Sequence, residues 1–378
     1  MDRSLFSKNY IIAVVAASLF YTGAYMANSV CGKYAVAIGG SKTAAGFAVA
    51  AFTLASFFTR PVWGWLVDSR SRRGVCMVGA LLCLGASAVL IFVKDIPMLA
   101  VSRLVFGRGY SALSTAGGAV VCDIVPAEKL PRAIAFYGIS GVVAGAVAPV
   151  AGLWLYERGY MLQAVAVAAV SACVPLLFLF LKYDEEKFLN KGAKLQIFEK
   201  SALPAAKTIV FFALSVAAVN SFIPLMAEER NIGTGKMFFF VSALFTLLTR
   251  VVYSHFIKKW GAGRLFYMAG GIYTLAFLVL AVAESSLWLT VSAMLYGLGA
   301  GFIHPIVNTA AVQSCRQDEK GLATGTFMMS QDIGMTIGAP LWAALSGRAG
   351  FGAVYFAVAV VILAMMYIFS RTVGPLLE

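Results

Sequence analysis

Four arginines and one acid stand deep inside long apolar stretches: Arg60, Arg103, Arg108, Arg250 and Asp332. A charge near the centre of a bilayer is costly, so such residues face a protein interior or a water-filled cavity and mark paths for ions and solutes. Arg60 lies eight residues before Asp68, about 12 Å along a helix. Four cations against one acid imply a positive chamber that favours an anionic or zwitterionic solute; the alternative pairs the arginines with backbone carbonyls and with Asp332. That acid, in MMSQDIGMTIGAP, is the candidate proton carrier. Desolvation and a nearby arginine act on a buried carboxylate in opposite senses, so its protonation follows conformation. His304, just before Pro305, titrates near neutrality and is a second candidate, with a hydrogen-bonded packing histidine as the equal alternative. Tyr21, Tyr25, Asn28, Asn220 and Asn308 offer hydrogen bonds to a solute, or bridges between helices.

The elements that hold these groups are expected to be membrane helices. Of 378 residues, 61% are hydrophobic and only 12% charged, against about 45–50% and 25% in soluble domains. A span needs roughly 20 apolar residues, and twelve such segments fit the chain. They run at about 10–32, 44–67, 75–93, 97–121, 133–155 and 160–181, then 205–226, 236–256, 265–283, 287–312, 322–345 and 351–370. Their Ala, Leu, Gly and Val runs favour helices over barrel strands. Almost nothing is left over for a soluble domain.

A shift of 190 residues lays the second half on the first. FTLASFFTR ends at Arg60 and SALFTLLTR at Arg250; VSRLVFGRG begins at Val101 and VSAMLYGLG at Val291. Phe136 and Phe327, and Pro149 and Pro340, match at an offset of 191, and Asn28 and Asn220 at 192. Parallel repeats of this kind are one design of secondary transporters, with the solute site near the bilayer midplane.

The formal charge of +13 is not spread as a nucleic-acid surface would be. Nineteen of the thirty basic residues fall on the termini and the even-numbered loops, which places both ends in the cytoplasm. Six cysteines stand singly, none in a CxxC or beside a histidine, and read as packing residues. The stretch 182–204, KYDEEKFLNKGAKLQIFEKSALP, is the one long charged segment and reads as a cytoplasmic linker, its alternating signs suiting a surface helix.

After the second apolar segment comes GWLVDSRSRR, Gly64 to Arg73. Gly64 permits close helix contact, Asp68 can accept from a neighbouring helix start, and Arg72 and Arg73 sit at the cytoplasmic face. Lys258 stands at the place of Asp68 in the second half, so this acceptor is expected in the first half alone. The stretch resembles the loop signature of the major facilitator superfamily, Gly-x-x-x-Asp-(Arg/Lys)-x-Gly-x-(Arg/Lys)-(Arg/Lys), matched at Gly64, Asp68, Arg72 and Arg73. It departs at Ser69 and Ser71. Arg103, Gly107 and Gly109 resemble the superfamily's Arg-x-x-x-Gly-x-Gly element. Gly141, Gly145, Pro149 and Gly152 are similar to its antiporter signature, with Ala148 where a glycine usually precedes the proline.

The resemblance covers essentially the whole chain. It implies an all-α membrane protein of twelve transmembrane helices in two pseudo-symmetric six-helix bundles, 1–181 and 205–378, joined by 182–204. It implies a latch at Gly64, Asp68, Arg72 and Asp123 and a part for Arg103 in proton transfer, which joins Asp332, His304 and Arg108, the proton-coupling candidates read from the residues themselves. The expected activity is export of a small organic solute by proton antiport with alternating access, driven by the proton gradient without a cofactor or metal. An uptake symporter, or a non-transporting sensor or scaffold, are the alternatives. No GxxxxGK[ST] loop occurs, so neither ATP-driven pumping nor an enzyme is expected. The expected partners are the solute, protons and the bilayer, with no nucleic acid, for a monomer in a bacterial inner membrane.

Overall fold

The computed structural model describes residues 7–40, 42–190, 192, 195–232 and 236–376. Twelve long helices lie on the twelve apolar segments: α1 Lys8–Ala37, α2 Lys42–Ser69, α3 Arg72–Phe92, α4 Ile96–Ile124, α5 Leu130–Arg158, α6 Tyr160–Phe180, α7 Leu203–Glu229, α8 236–260, α9 262–281, α10 Ser286–Gln313, α11 320–349 and α12 351–372. No strand occurs among the described residues. Eight continuous helices, counting α8–α9 and α11–α12 once each, are long and apolar enough to cross a membrane. The helices outside that set, α2 and α4, are those carrying Arg60, Asp68, Arg103, Arg108 and Asp123.

Local chemistry sets the boundaries. The side chains of Ser7, Ser71, Asp95 and Ser285 each accept from an amide three residues on, capping α1, α3, α4 and α10. Two nearly fused pairs, α8–α9 and α11–α12, are parted by single glycines, Gly261 at φ 74° and Gly350 at φ 77°, a region that L side chains avoid. These boundaries keep the repeat: Asp95 and Ser285 cap at an offset of 190, and Gly159 parts α5 from α6 where Gly350 parts α11 from α12.

The chain forms two compact units, the first of Met1–Ala133, Tyr137–Glu199 and Arg316–Thr326, the second of Ile134–Phe136, Lys200–Cys315 and Phe327–Glu378. Within the first, a Cβ on Gly107 would overlap the Phe52 carbonyl, and Ser102 Oγ donates to Ala86 O at 2.9 Å. Within the second, Gly297 stands against the Ser242 carbonyl and Ser292 Oγ donates to Ala276 O at 3.0 Å. Both pairs repeat at 190. Lipid-embedded helices gain little from apolar burial, so small residues that let backbones approach drive their packing.

The surface helix expected over 182–204 does not form. Before the turn that leads into α7 at Leu203, its described residues hold one 3-10 turn, Glu186–Phe188, and residues 183–190 spend their polar groups on the first unit instead. Residues 191, 193 and 194 of that linker lie outside the described set.

Candidate functional site

The densest polar cluster lies at one end of the first unit. Asp68, on the last turn of α2, is 3% exposed, and its two carboxylate oxygens accept from the amides of Gly321 and Leu322, both at 2.7 Å. Those amides belong to the first turn of α11, where backbone donors lack helical partners and the dipole is positive, so a carboxylate is well placed there. Arg72 is fully buried and pairs with both Asp68 and Asp123. It also donates to the carbonyls of Phe188 and Gln317, each at 3.1 Å. The expected network is therefore assembled. Gly64 lets α2 approach, since a Cβ there would sit 3.1 Å from Leu322 Cα.

Several members of this cluster went unnoticed in the sequence. Gly321 is one: a Cβ there would overlap Val67 and lie 2.7 Å from Asp68 Oδ1, closing the space in which the carboxylate meets the amide. Lys320, 6% exposed, donates to Cys122 O at 3.4 Å, beside Asp123. The linker contributes the rest. Tyr183 donates to Asp123 Oδ2 at 3.3 Å, and burial together with the Asp123 charge pushes its phenol far above the ordinary value, keeping it a donor. Glu185 accepts from Ser71 Oγ at 2.7 Å and from the Arg73 amide at 2.9 Å, at the start of α3. The Asn190 amide donates to Asp68 O at 2.7 Å.

A second cluster surrounds Arg103 on α4, 1% exposed. Its Nη2 donates to Asn28 Oδ1, and its guanidinium lies 4.7 Å from the Phe52 ring centre. Asn28, expected to meet solute, is thus engaged by the arginine expected to serve proton transfer. Tyr21 stacks on Tyr25 at 6.1 Å and meets Tyr110 edge-on at 6.1 Å. The glycine face of α5 lies against these rings: Gly141 reaches Tyr21 and Gly145 reaches Tyr25 at ordinary contact. Gly152 is tighter, since a Cβ there would meet Ser29 Oγ at 2.8 Å. Pro149 is inside α5. Arg108 is exposed, unlike Arg103; five residues separate them, roughly 140° around a helix.

Arg60 and Arg250 are both buried, at 2% and 4% exposure, one in each unit. Arg60 donates to Ser114 Oγ at 2.9 Å. At the matching place beside Arg250 stands His304, whose Nε2 is 3.3 Å from Gln331 Oε1. Neither Nε nor Nη1 of Arg250 has a hydrogen-bond partner among the described residues. Asn308, one turn beyond His304 on α10, is half-buried with Oδ1 unpartnered. Asp332 on α11 is half-buried, next to Gln331. Asn220 is exposed and does not repeat Asn28's environment, because Ala293 occupies the position equivalent to Arg103.

Twelve apolar helices with buried ionic clusters and a duplicated plan define an integral membrane transporter rather than an enzyme. The family model of the Major Facilitator Superfamily matches residues 13–335 and, again, 208–376. The chain belongs to that superfamily. It is 23% identical over 326 residues to the "Multi-drug resistance efflux pump PmrA homolog" of Lactococcus lactis subsp. lactis, covering 82% of this chain and 80% of that protein. It is 26% identical over 335 residues to the "Multi-drug resistance efflux pump PmrA" of Streptococcus pneumoniae, covering 83% and 82%. Its fold is similar to that of the human organic anion transporter MFSD10 (TETRAN), with a TM-score of 0.83 at 16% identity over 96% of this chain and 99% of that one.

Proposed function

We propose that this transporter exports a small organic solute in exchange for protons, alternating the access of one binding site between the two sides of the membrane. The observation that carries the reading is the clasp of Asp68 on the first amides of α11. Residues 316–326 cluster with the first unit, while the remainder of α11 belongs to the second. A contact of this kind, made of buried charge and helix-end donors, has two discrete arrangements, made and broken, as a switching element requires. The efflux pumps matched over four-fifths of the chain support the outward direction.

In this reading Asp332 carries the proton with His304 on the neighbouring helix of the same unit, while Arg103 and Arg108 are separate candidates for proton transfer in the first unit. Tyr21, Tyr25 and Arg60 in the first unit and Asn220, Arg250 and Asn308 in the second are the candidates for meeting solute, while Asn28 acts through Arg103. The protein works as a monomer in a bacterial inner membrane, with both termini in the cytoplasm.

Proton flux in inverted vesicles tests this. Solute added to acidified vesicles is expected to alkalinise the lumen, and Asp332→Asn to abolish that response while solute still binds. A solute that carries protons in the same direction as itself would replace export with symport. Unchanged flux in the Asp332→Asn protein would remove Asp332 from the coupling.

A further inference from the structure

Among the described residues, no acid is recorded beside Arg250 to balance its charge. The other buried arginines described above each have a polar partner: Ser114 for Arg60, Asp68 and Asp123 for Arg72, Asn28 for Arg103. Arg250 has Tyr253 and His304 as its electrostatic neighbours, and His304 is turned to Gln331. A guanidinium buried in a membrane helix with two N–H groups unmet is costly unless something anionic completes it. The surroundings leave a way in, since His304, Asn308 and Gln331 are all half-buried.

We propose that Arg250, beside His304 and with Asn308 one turn further along the same face of α10, is the subsite for the carboxylate of a small organic anion. This rests on the transport reading above. The planar fork of a guanidinium matches a carboxylate with two parallel hydrogen bonds. One fixed positive charge meets one negative charge; a phosphate dianion would leave a surplus charge in apolar surroundings. The unpartnered Asn308 Oδ1 accepts from a hydroxyl or amide elsewhere on the solute.

Titration calorimetry on the purified full chain with benzoate, benzyl alcohol and benzyltrimethylammonium tests the assignment. Benzoate is expected to bind in preference to the other two. Arg250→Gln is expected to weaken it by about ten-fold or more, Arg250→Lys to keep part of the affinity, and Lys258→Gln, two turns along α8, to change nothing. Preference for the cation or the alcohol, no benzoate binding, or equal benzoate affinity in Arg250→Gln would each overturn the subsite. If Arg250→Gln does not fold, the wild-type preference and Arg250→Lys decide. Proton flux with the same three compounds separates the two readings. Flux driven by the cation leaves transport standing and removes the subsite, whereas Arg250-dependent benzoate binding with no flux from any compound removes transport alone.

Discussion

Arg60 and Arg250 occupy the same place in two copies of one plan, yet their neighbours differ. The first meets a serine hydroxyl; the second faces a histidine turned elsewhere. Some of the packing around them is repeated, as Gly107 on Phe52 and Gly297 on Ser242 show. Ionic groups follow the opposite rule. Asp68 is buried and clasps a helix end where Lys258 is exposed, and Arg103 is answered by Ala293. Duplication has preserved what holds helices together and dispersed what does chemistry, so roles are to be sought where the halves disagree.

The largest contrast is expected between Asp68 and Lys258. Asp68→Ala leaves Arg72 buried with one fewer counter-ion and two helix-end amides unmet, a loss of about 3–5 kcal/mol. Thermal unfolding and transport rate are both expected to fall, while Lys258→Ala leaves both as they were. Equal responses would end the asymmetry. Next come the matched glycines. Gly107→Ala and Gly297→Ala each push a methyl onto a carbonyl and are expected to destabilise by a similar amount, about 1–3 kcal/mol; tolerance in one half would show that packing has diverged as well. The smallest effect is expected from Ser114→Ala, which removes a hydrogen bond to a charged group and costs about 1.5 kcal/mol. A protein as stable as wild type, measured by denaturation in detergent, would mean Arg60 does not depend on that hydroxyl.

Much of this was readable in the residues. Apolar runs of span length and the 190-residue offset led to twelve helices, because length and hydropathy alone decide what a bilayer accepts. The Asp68–Arg72–Asp123 network was also legible, through the resemblance of Gly64, Asp68, Arg72 and Arg73 to the superfamily's loop signature. Asn28 was read as meeting solute or bridging helices, and it bridges α1 to α4 through Arg103, a choice that spacing along one helix does not make. Gly321 was invisible for a similar reason: its lack of a side chain matters only once Asp68 arrives. The linker was misjudged because charge density suggests solvation, whereas Glu185 and Tyr183 turn inward to specific donors and acceptors.

Those linker contacts bear on where the chain can be divided. A fragment stopping at Leu181 would forfeit the carboxylate over the start of α3, the phenol on Asp123 and the amide on the Asp68 carbonyl. A split intended to yield two separately produced pieces belongs beyond Asn190, so that the tether travels with the six helices it braces.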